Sequence, residues 1–245
     1  MTGAQNAGGE VAWLFGRGLS IDCGLRWSEP ETWKPLPREQ RIKKITAELR
    51  GEMDAPGVDT QIVSRFLNFL GGRTCEGWKH LFITTNWDYL LYREVDRMFP
   101  NEVPPWLRCS HVYHLNGTVE ALPDNSRRSP FLLEDDPAEQ RNQTQEGDQA
   151  FNKMIWSRAF AVVGMSFECE TDKFLLRHLH KVEDHLAIGE LLWVIVNPDR
   201  PALDQVSLRI QEALPKAEIS PICKTFSQWC ETGFLGLESK GVFNG

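Results

Sequence analysis

Five short runs of small and polar residues are the parts of this chain whose types and spacing suit chemistry, and each follows directly on an apolar stretch. Residues 11–15 lead into Gly16-Arg17-Gly18-Leu19-Ser20, 81–84 into Thr85-Asn86-Trp87-Asp88, and 112–115 into Asn116-Gly117-Thr118. Residues 160–163 lead into Gly164-Met165-Ser166, and 192–196 into Asn197-Pro198. If the apolar runs are parallel strands, their polar ends share one edge of a sheet, where open α/β sheets bind ligands. Glycines at 16 and 18 let backbone approach a diphosphate, and a helix starting near Ser20 would aim free N–H groups at the same charge. A plain tight turn explains the two glycines equally well. The third glycine of the dinucleotide fingerprint would fall at Ile21, no strand with an acidic end follows about 20 residues later, and there is no G-K-[ST].

The elements that must carry these ends follow from hydrophobic period. Residues 11–15 are too short a run for a helix and are bounded by glycines, so they read as a buried strand. Residues 38–53 place Ile42, Ile45, Leu49 and Met53 on one helical face, and 59–70 repeat the pattern with Ile62, Phe66 and Leu70. With Trp33 ahead of them they make a helical insertion over about 28–79. From His80 onward short apolar runs alternate with amphipathic stretches, the signature of βα units. Strands are expected at 81–84, 112–115, 160–164, 191–196 and 218–222. Helices are expected at 88–98, 149–158, 171–186, 202–214 and 225–231. The expected class is α/β: one Rossmann-like domain with a parallel sheet of about six strands and helices on both faces. Residues 123–149 are mostly polar around Phe131, Leu132 and Leu133 and read as a long loop, either a lid or a solvated insertion.

Composition narrows the function. The 245 residues are 41% hydrophobic, enough for a sizeable core, and the net charge of −7 argues against nucleic acid as the main ligand. The N-terminus lacks the pattern of a secretory signal, and the longest apolar run, 191–196, is far short of the about 20 residues that cross a bilayer. A cytoplasmic protein is expected. Cys23, Cys75, Cys109, Cys169, Cys223 and Cys230 form no C-x-x-C pair, so reduced thiols and no metal are expected. His178, His180 and His185 do not share a helical face as zinc ligands would and are read as solvent-facing. Glu168, Glu170 and Asp172 stand where acids stabilise a helix start. Trp87, between two polar candidates, either docks into the core or stacks on a ligand.

Taken together, the five polar ends resemble the sirtuin-like family. GRGLSIDCGL is similar to its G-A-G-x-S-x-x-x-G-[IL] loop, TTNWD to T-Q-N-x-D, LNGT to L-H-G-S, GMSF to G-[TY]-S-[FL], and VNP to a late strand-end asparagine. Order and spacing agree over roughly residues 11–215, and VVGMSFECETDKFLL most resembles a zinc-less bacterial branch that includes NAD-consuming domains of anti-phage systems. The resemblance implies an NAD ligand, with Gly16, Gly18 and Ser20 at the phosphates, Asn86 at the ribose beside nicotinamide and Asp88 at the carboxamide. It implies Gly164 and Ser166 on the adenosine side and Asn197 at the adenine ribose. The implied reaction breaks the nicotinamide–ribose bond through an oxocarbenium-like state, which fixed polar groups and exclusion of water favour.

Three departures qualify this reading. Arg17 stands where the family usually has alanine, beside the expected phosphate, where it either pairs with a phosphate or fills the space the ligand needs. Asn116 stands at the family's catalytic histidine, and an amide is no base near neutral pH. His114 lies two residues earlier, roughly 6.6 Å along a strand, as a core histidine or as a base acting through water. The paired C-x-x-C motifs of the zinc-bearing protein deacylases are absent. The expected function is therefore an NAD glycohydrolase or a silent NAD or ADP-ribose sensor, with a protein partner or homo-oligomer implied; an interaction subunit with an empty pocket is the third reading.

Overall fold

The computed structural model describes residues 8–109, 111–119, 132–133, 136, 145–182 and 191–243. Six strands, β1 (Glu10–Phe15), β2 (Lys79–Thr84), β3 (Tyr113–His114), β4 (Ala159–Val163), β5 (Leu192–Val196) and β6 (Glu218–Ile222), form one sheet in the order β3-β2-β1-β4-β5-β6. All five pairings are parallel, as expected for an α/β Rossmann-like domain. Winding reverses between β1 and β4, which makes that junction the topological switch point.

Strands β1, β4 and β5 are continuous apolar runs because both faces of the sheet are covered. Alternation assigns Val11, Trp13 and Phe15 to one core, with Ala161 and Val194; Ala12 and Leu14 face the other, with Phe160 and Trp193. The first core takes α1 (Arg17–Asp22), α2 (Arg38–Met53), α3 (Gln61–Arg73), α4 (Leu90–Met98) and α8 (Phe226–Glu231); the second takes α5 (Gln145–Met154), α6 (Glu170–Val182) and α7 (Arg200–Ala213). Trp13 anchors the first core through edge contacts with Phe66 at 4.7 Å and Phe234 at 5.4 Å.

Helix starts follow capping chemistry. Asp199 accepts from the Ala202 N–H with Pro201 in the first turn, and Thr225 with Gln228 forms a reciprocal capping box.

Several local expectations are corrected. Helix α1 begins at Arg17, directly after Gly16, and not near Ser20. β3, at one edge of the sheet, is only two residues long, since of the expected 112–115 only Tyr113 and His114 pair with β2. Helix α5 starts at Gln145, so residues 145–149 are not loop. Of the rest of that loop only Leu132, Leu133 and Asp136 are described, and all three are buried, packed against the site rather than solvated; Phe131 lies outside the described residues. On α2 the buried ridge is Arg41-Ile45-Leu49-Met53, so Arg41 takes the inward place expected of Ile42. His178 is not solvent-facing: it stacks on Phe151 at 4.4 Å, and burial lowers its pKa. His180 is exposed, and His185 lies outside the described residues.

Candidate functional site

The ends of β1 and β4 meet through glycine backbone. Gly16 N donates to Val163 O at 2.9 Å and Gly18 N donates to Gly164 O at 3.1 Å. A Cβ on Gly16 would stand 2.6 Å from Gly164 O, and one on Gly18 2.5 Å from Gly164 Cα. Gly164 itself has φ +59°, and its Cβ would stand 2.2 Å from Gly18 Cα. The glycines expected to admit a diphosphate are thus required by a backbone crossing at the switch point. Gly16 and Arg17 line the cleft above this crossing, while Gly18 serves the crossing itself. The Arg17 side chain is exposed at the rim.

On the β2 side, Asn86, Ser20 and Asp88 form a hydrogen-bonded chain. Asn86 Nδ2 donates to Gly16 O at 2.9 Å and to Ser20 Oγ at 2.8 Å, and Ser20 Oγ donates to Asp88 Oδ2 at 2.6 Å. Both protons of the Asn86 amide are therefore directed inward, which leaves Oδ1 as the group this residue can offer to the cleft. Asp88 also accepts the Leu90 N–H at the start of α4, yet burial outweighs both hydrogen bonds and holds its carboxyl above the usual carboxylate range.

β3 brings Asn116 to the same floor, where its Nδ2 donates to Thr85 O at 2.8 Å. His114 lies behind that floor: it is buried, its Nδ1 is 3.2 Å from Asn86 O, and it is not part of the cleft lining. Trp87 sits 6.2 Å from Trp27, centroid to centroid, and its indole N–H donates to Leu132 O at 2.9 Å. Leu132 N in turn donates to Asn116 O at 2.9 Å, and Arg38 on α2 pairs with Asp136 at 2.8 Å. The described part of the long loop is thereby tied to two residues of the site.

After β4 the chain turns through Gly164-Met165-Ser166-Phe167 into α6. Phe167 is buried with φ +55°, a left-handed conformation rare for an aromatic residue. Its N–H donates to Asp172 Oδ2 at 3.2 Å, and Ser166 Oγ accepts the Glu168 N–H at 3.2 Å. Glu170 and Asp172 stand in the first turn of α6, as acids at a helix start do, and Glu170 also pairs with Lys173 at 3.1 Å and Arg177 at 3.4 Å; Glu168, ahead of the helix, pairs with Arg209 at 2.9 Å instead. Asn197 stands outside the cleft lining, its Oδ1 accepting the Asp199 N–H at 2.9 Å.

The opposite wall is the segment from Leu25 to Lys34 with α2. Arg41, 3% exposed, makes a bidentate pair with Glu29, whose second oxygen is 2.7 Å from Nη2. Neither residue was singled out from the sequence; the available signal was an arginine on the apolar ridge of a helix. The cleft is about 1080 Å³, just above the range of ordinary ligand sites at about 300–1,000 Å³. Among the described residues no group of three or more His, Cys, Asp or Glu is placed to hold a metal, and no helix is long and apolar enough to cross a membrane.

No family profile and no curated protein matches the chain. Solved structures do. A chain described under "Structural Basis for the Mechanism and Regulation of Sir2 Enzymes" superposes with a TM-score of 0.51 at 14% identity, covering 96% of this chain and 94% of that one. At that identity the likeness speaks for the fold alone: this chain has a sirtuin-like, Rossmann-type α/β fold with its polar cleft at the switch point of the sheet.

Proposed function

We propose that the cleft binds NAD or its ADP-ribose part and that the chain hydrolyses the bond between nicotinamide and ribose. The observation that carries this reading is the Asn86–Ser20–Asp88 chain, which offers one fixed acceptor, Asn86 Oδ1, beside a desolvated carboxyl. Ribose hydroxyls are donors that such an acceptor suits. The cleft volume admits a dinucleotide, and the exposed Arg17 guanidinium at the rim is a cation suited to its phosphates. Gly164 and Ser166 are assigned to the adenosine side. Gly18 would act through the crossing that shapes the floor, and Asn197, held in its own turn, would reach a ligand only from outside the lining.

In the reaction the glycosidic C–N bond breaks, water supplies the new C–O bond, and one proton is released. Asn86 orients the ribose, Asp88 takes the carboxamide of nicotinamide, and the Trp27–Trp87 wall limits water. His114 touches Asn86 O, so in this reading it positions Asn86 rather than meeting the ligand. The bacterial defence setting belongs to the same proposal and rests on the sequence resemblance.

A second reading, a silent binder of NAD or ADP-ribose acting through a protein partner, is favoured by Asn116, whose amide supplies no base and is engaged with Thr85 O. Nicotinamide release by the purified chain, together with thermal shift in NAD and ADP-ribose, separates the two. Turnover abolished in Asn86→Ala supports the hydrolase, and a shift without turnover supports the binder. Neither signal at millimolar nucleotide would end both readings.

A further inference from the structure

Helix α7 contributes no residue to the cleft lining, yet one of its side chains holds the β4 turn. Arg209 Nη1 donates to Ser166 O at 2.6 Å, and Arg209 Nη2 donates to Glu168 Oε1 at 2.9 Å. The guanidinium thus bridges a backbone carbonyl and a carboxylate two residues apart, one on each side of Phe167. Phe167 is the buried residue in the left-handed conformation, and Gly164, also at positive φ, opens the same turn. Gly164 takes its conformation freely, but the left-handed Phe167 persists only where surrounding contacts over-determine it. The contacts present are the Asp172 carboxylate on Phe167 N, the Ser166 hydroxyl on Glu168 N, and the Arg209 fork. The first two lie within the turn and α6. Gly164 is tied to its neighbours by backbone, Gly18 N donating to its carbonyl at 3.1 Å and its own N–H donating to Val196 O at 3.2 Å, whereas Ser166 and Glu168 are tied to a separate element by the Arg209 fork from α7, which is packed on the sheet through Leu203, Val206 and Ile210.

We propose that Arg209 is a positioning residue for the nucleotide cleft: it holds the Gly164–Glu168 turn so that Gly164 and Ser166 present one fixed surface to the ligand. The claim deepens the nucleotide reading and rests on it for the identity of the ligand. Arg209 itself lines no part of the cleft, so it acts through Ser166 O and Glu168. Lysine carries the charge but offers one ammonium where the fork offers two separated donors, so it cannot bridge both acceptors with the same geometry.

The test uses the whole chain with Arg209→Ala, Arg209→Lys and, as a control on the same helix, Arg200→Ala, which removes only the exposed pair with Asp204. Two readouts are taken: amide hydrogen exchange over residues 164–168 without ligand, and affinity for ADP-ribose and for NAD. Arg209→Ala is expected to speed exchange at Phe167 and Glu168 and to weaken ADP-ribose binding about tenfold, the loss of one charge-assisted hydrogen bond's effect. Arg209→Lys is expected to fall between, and Arg200→Ala to match wild type in both. Exchange unchanged in Arg209→Ala overturns the proposal whether or not a nucleotide binds. Faster exchange with ADP-ribose affinity within twofold of wild type also overturns it, because the turn would then not be shaping the site. A wild-type chain that binds neither nucleotide refutes the nucleotide reading, while the exchange result still decides whether Arg209 orders the turn.

Discussion

Alanine at Gly164 tests the glycine crossing that forms the floor of the cleft. Gly164 has φ +59°, where a side chain costs about 1–2 kcal/mol. The added Cβ would stand 2.2 Å from Gly18 Cα, and that atom is backbone and cannot rotate aside. β1 and β4 must separate or the turn must open, an overpacking cost of about 1–3 kcal/mol. The expected loss is therefore about 2–5 kcal/mol, or roughly 5–15 °C in melting temperature for a chain of this size. The same substitution at Gly51 is expected to do the opposite, because this helical glycine in α2 has nothing within 4 Å of its would-be Cβ. Relief of glycine's backbone entropy there is worth up to about 1 kcal/mol. Urea unfolding followed by tryptophan fluorescence measures both variants, and equal m values would show that only native stability changed. A Gly164→Ala protein within about 0.5 kcal/mol of wild type would refute the argument that the close backbone crossing, and not merely a turn, requires glycine.

Other perturbations have definite signs. His80 is wholly buried, accepts the Trp13 indole N–H on Nδ1 at 2.9 Å and meets Thr74 Oγ1 through Nε2 at 2.9 Å, and burial lowers its pKa from 6.5 to about 3. The folded state thus prefers neutral imidazole: its contribution is complete above the unfolded value of 6.5 and is lost as pH falls toward 3. Between pH 6.5 and 5 wild type should lose about 1.6 kcal/mol more than His80→Gln, because the linkage slope climbs to about 1.4 kcal/mol per pH unit only below the unfolded value; parallel profiles in denaturant titrations would contradict this. Asp88 has the opposite sign, because its raised pKa gives stability present below the unfolded value and lost as pH rises through the folded one. Asp88→Asn should then raise the melting temperature at pH 8 relative to pH 4 while removing turnover, and a larger loss at pH 8 would count against a desolvated carboxylate. Arg41→Ala leaves Glu29 buried without its fork and should cost about 3–5 kcal/mol in equilibrium unfolding; a loss below about 1 kcal/mol would show that the pair is hydrated in solution.

How much was legible in the chain depends on the range of the interaction. Apolar runs at 11–15, 160–163 and 192–196 announce strands because residues on both faces of a parallel sheet must be apolar, and each such run became a strand. The polar residues following them mark the strand ends for the same local reason. Boundaries were less legible where capping is weak: no side chain caps α1, and nothing in the residues after Gly16 separates a loop from a first helical turn.

By itself, then, the sequence determined the parallel α/β class, the inward faces of most elements, and the presence of polar groups at the rim of the sheet. Strand order and crossing decided the rest, since they bring together residues that no local pattern relates: Ser20 reaches Asp88 across 68 positions, Asn86 reaches Gly16 across 70, and Arg209 reaches Ser166 across 43. Even the two glycines of the first loop took their meaning from tertiary structure, because what excludes a side chain there is the backbone of Gly164, some 150 residues away by the chain and in van der Waals contact through space.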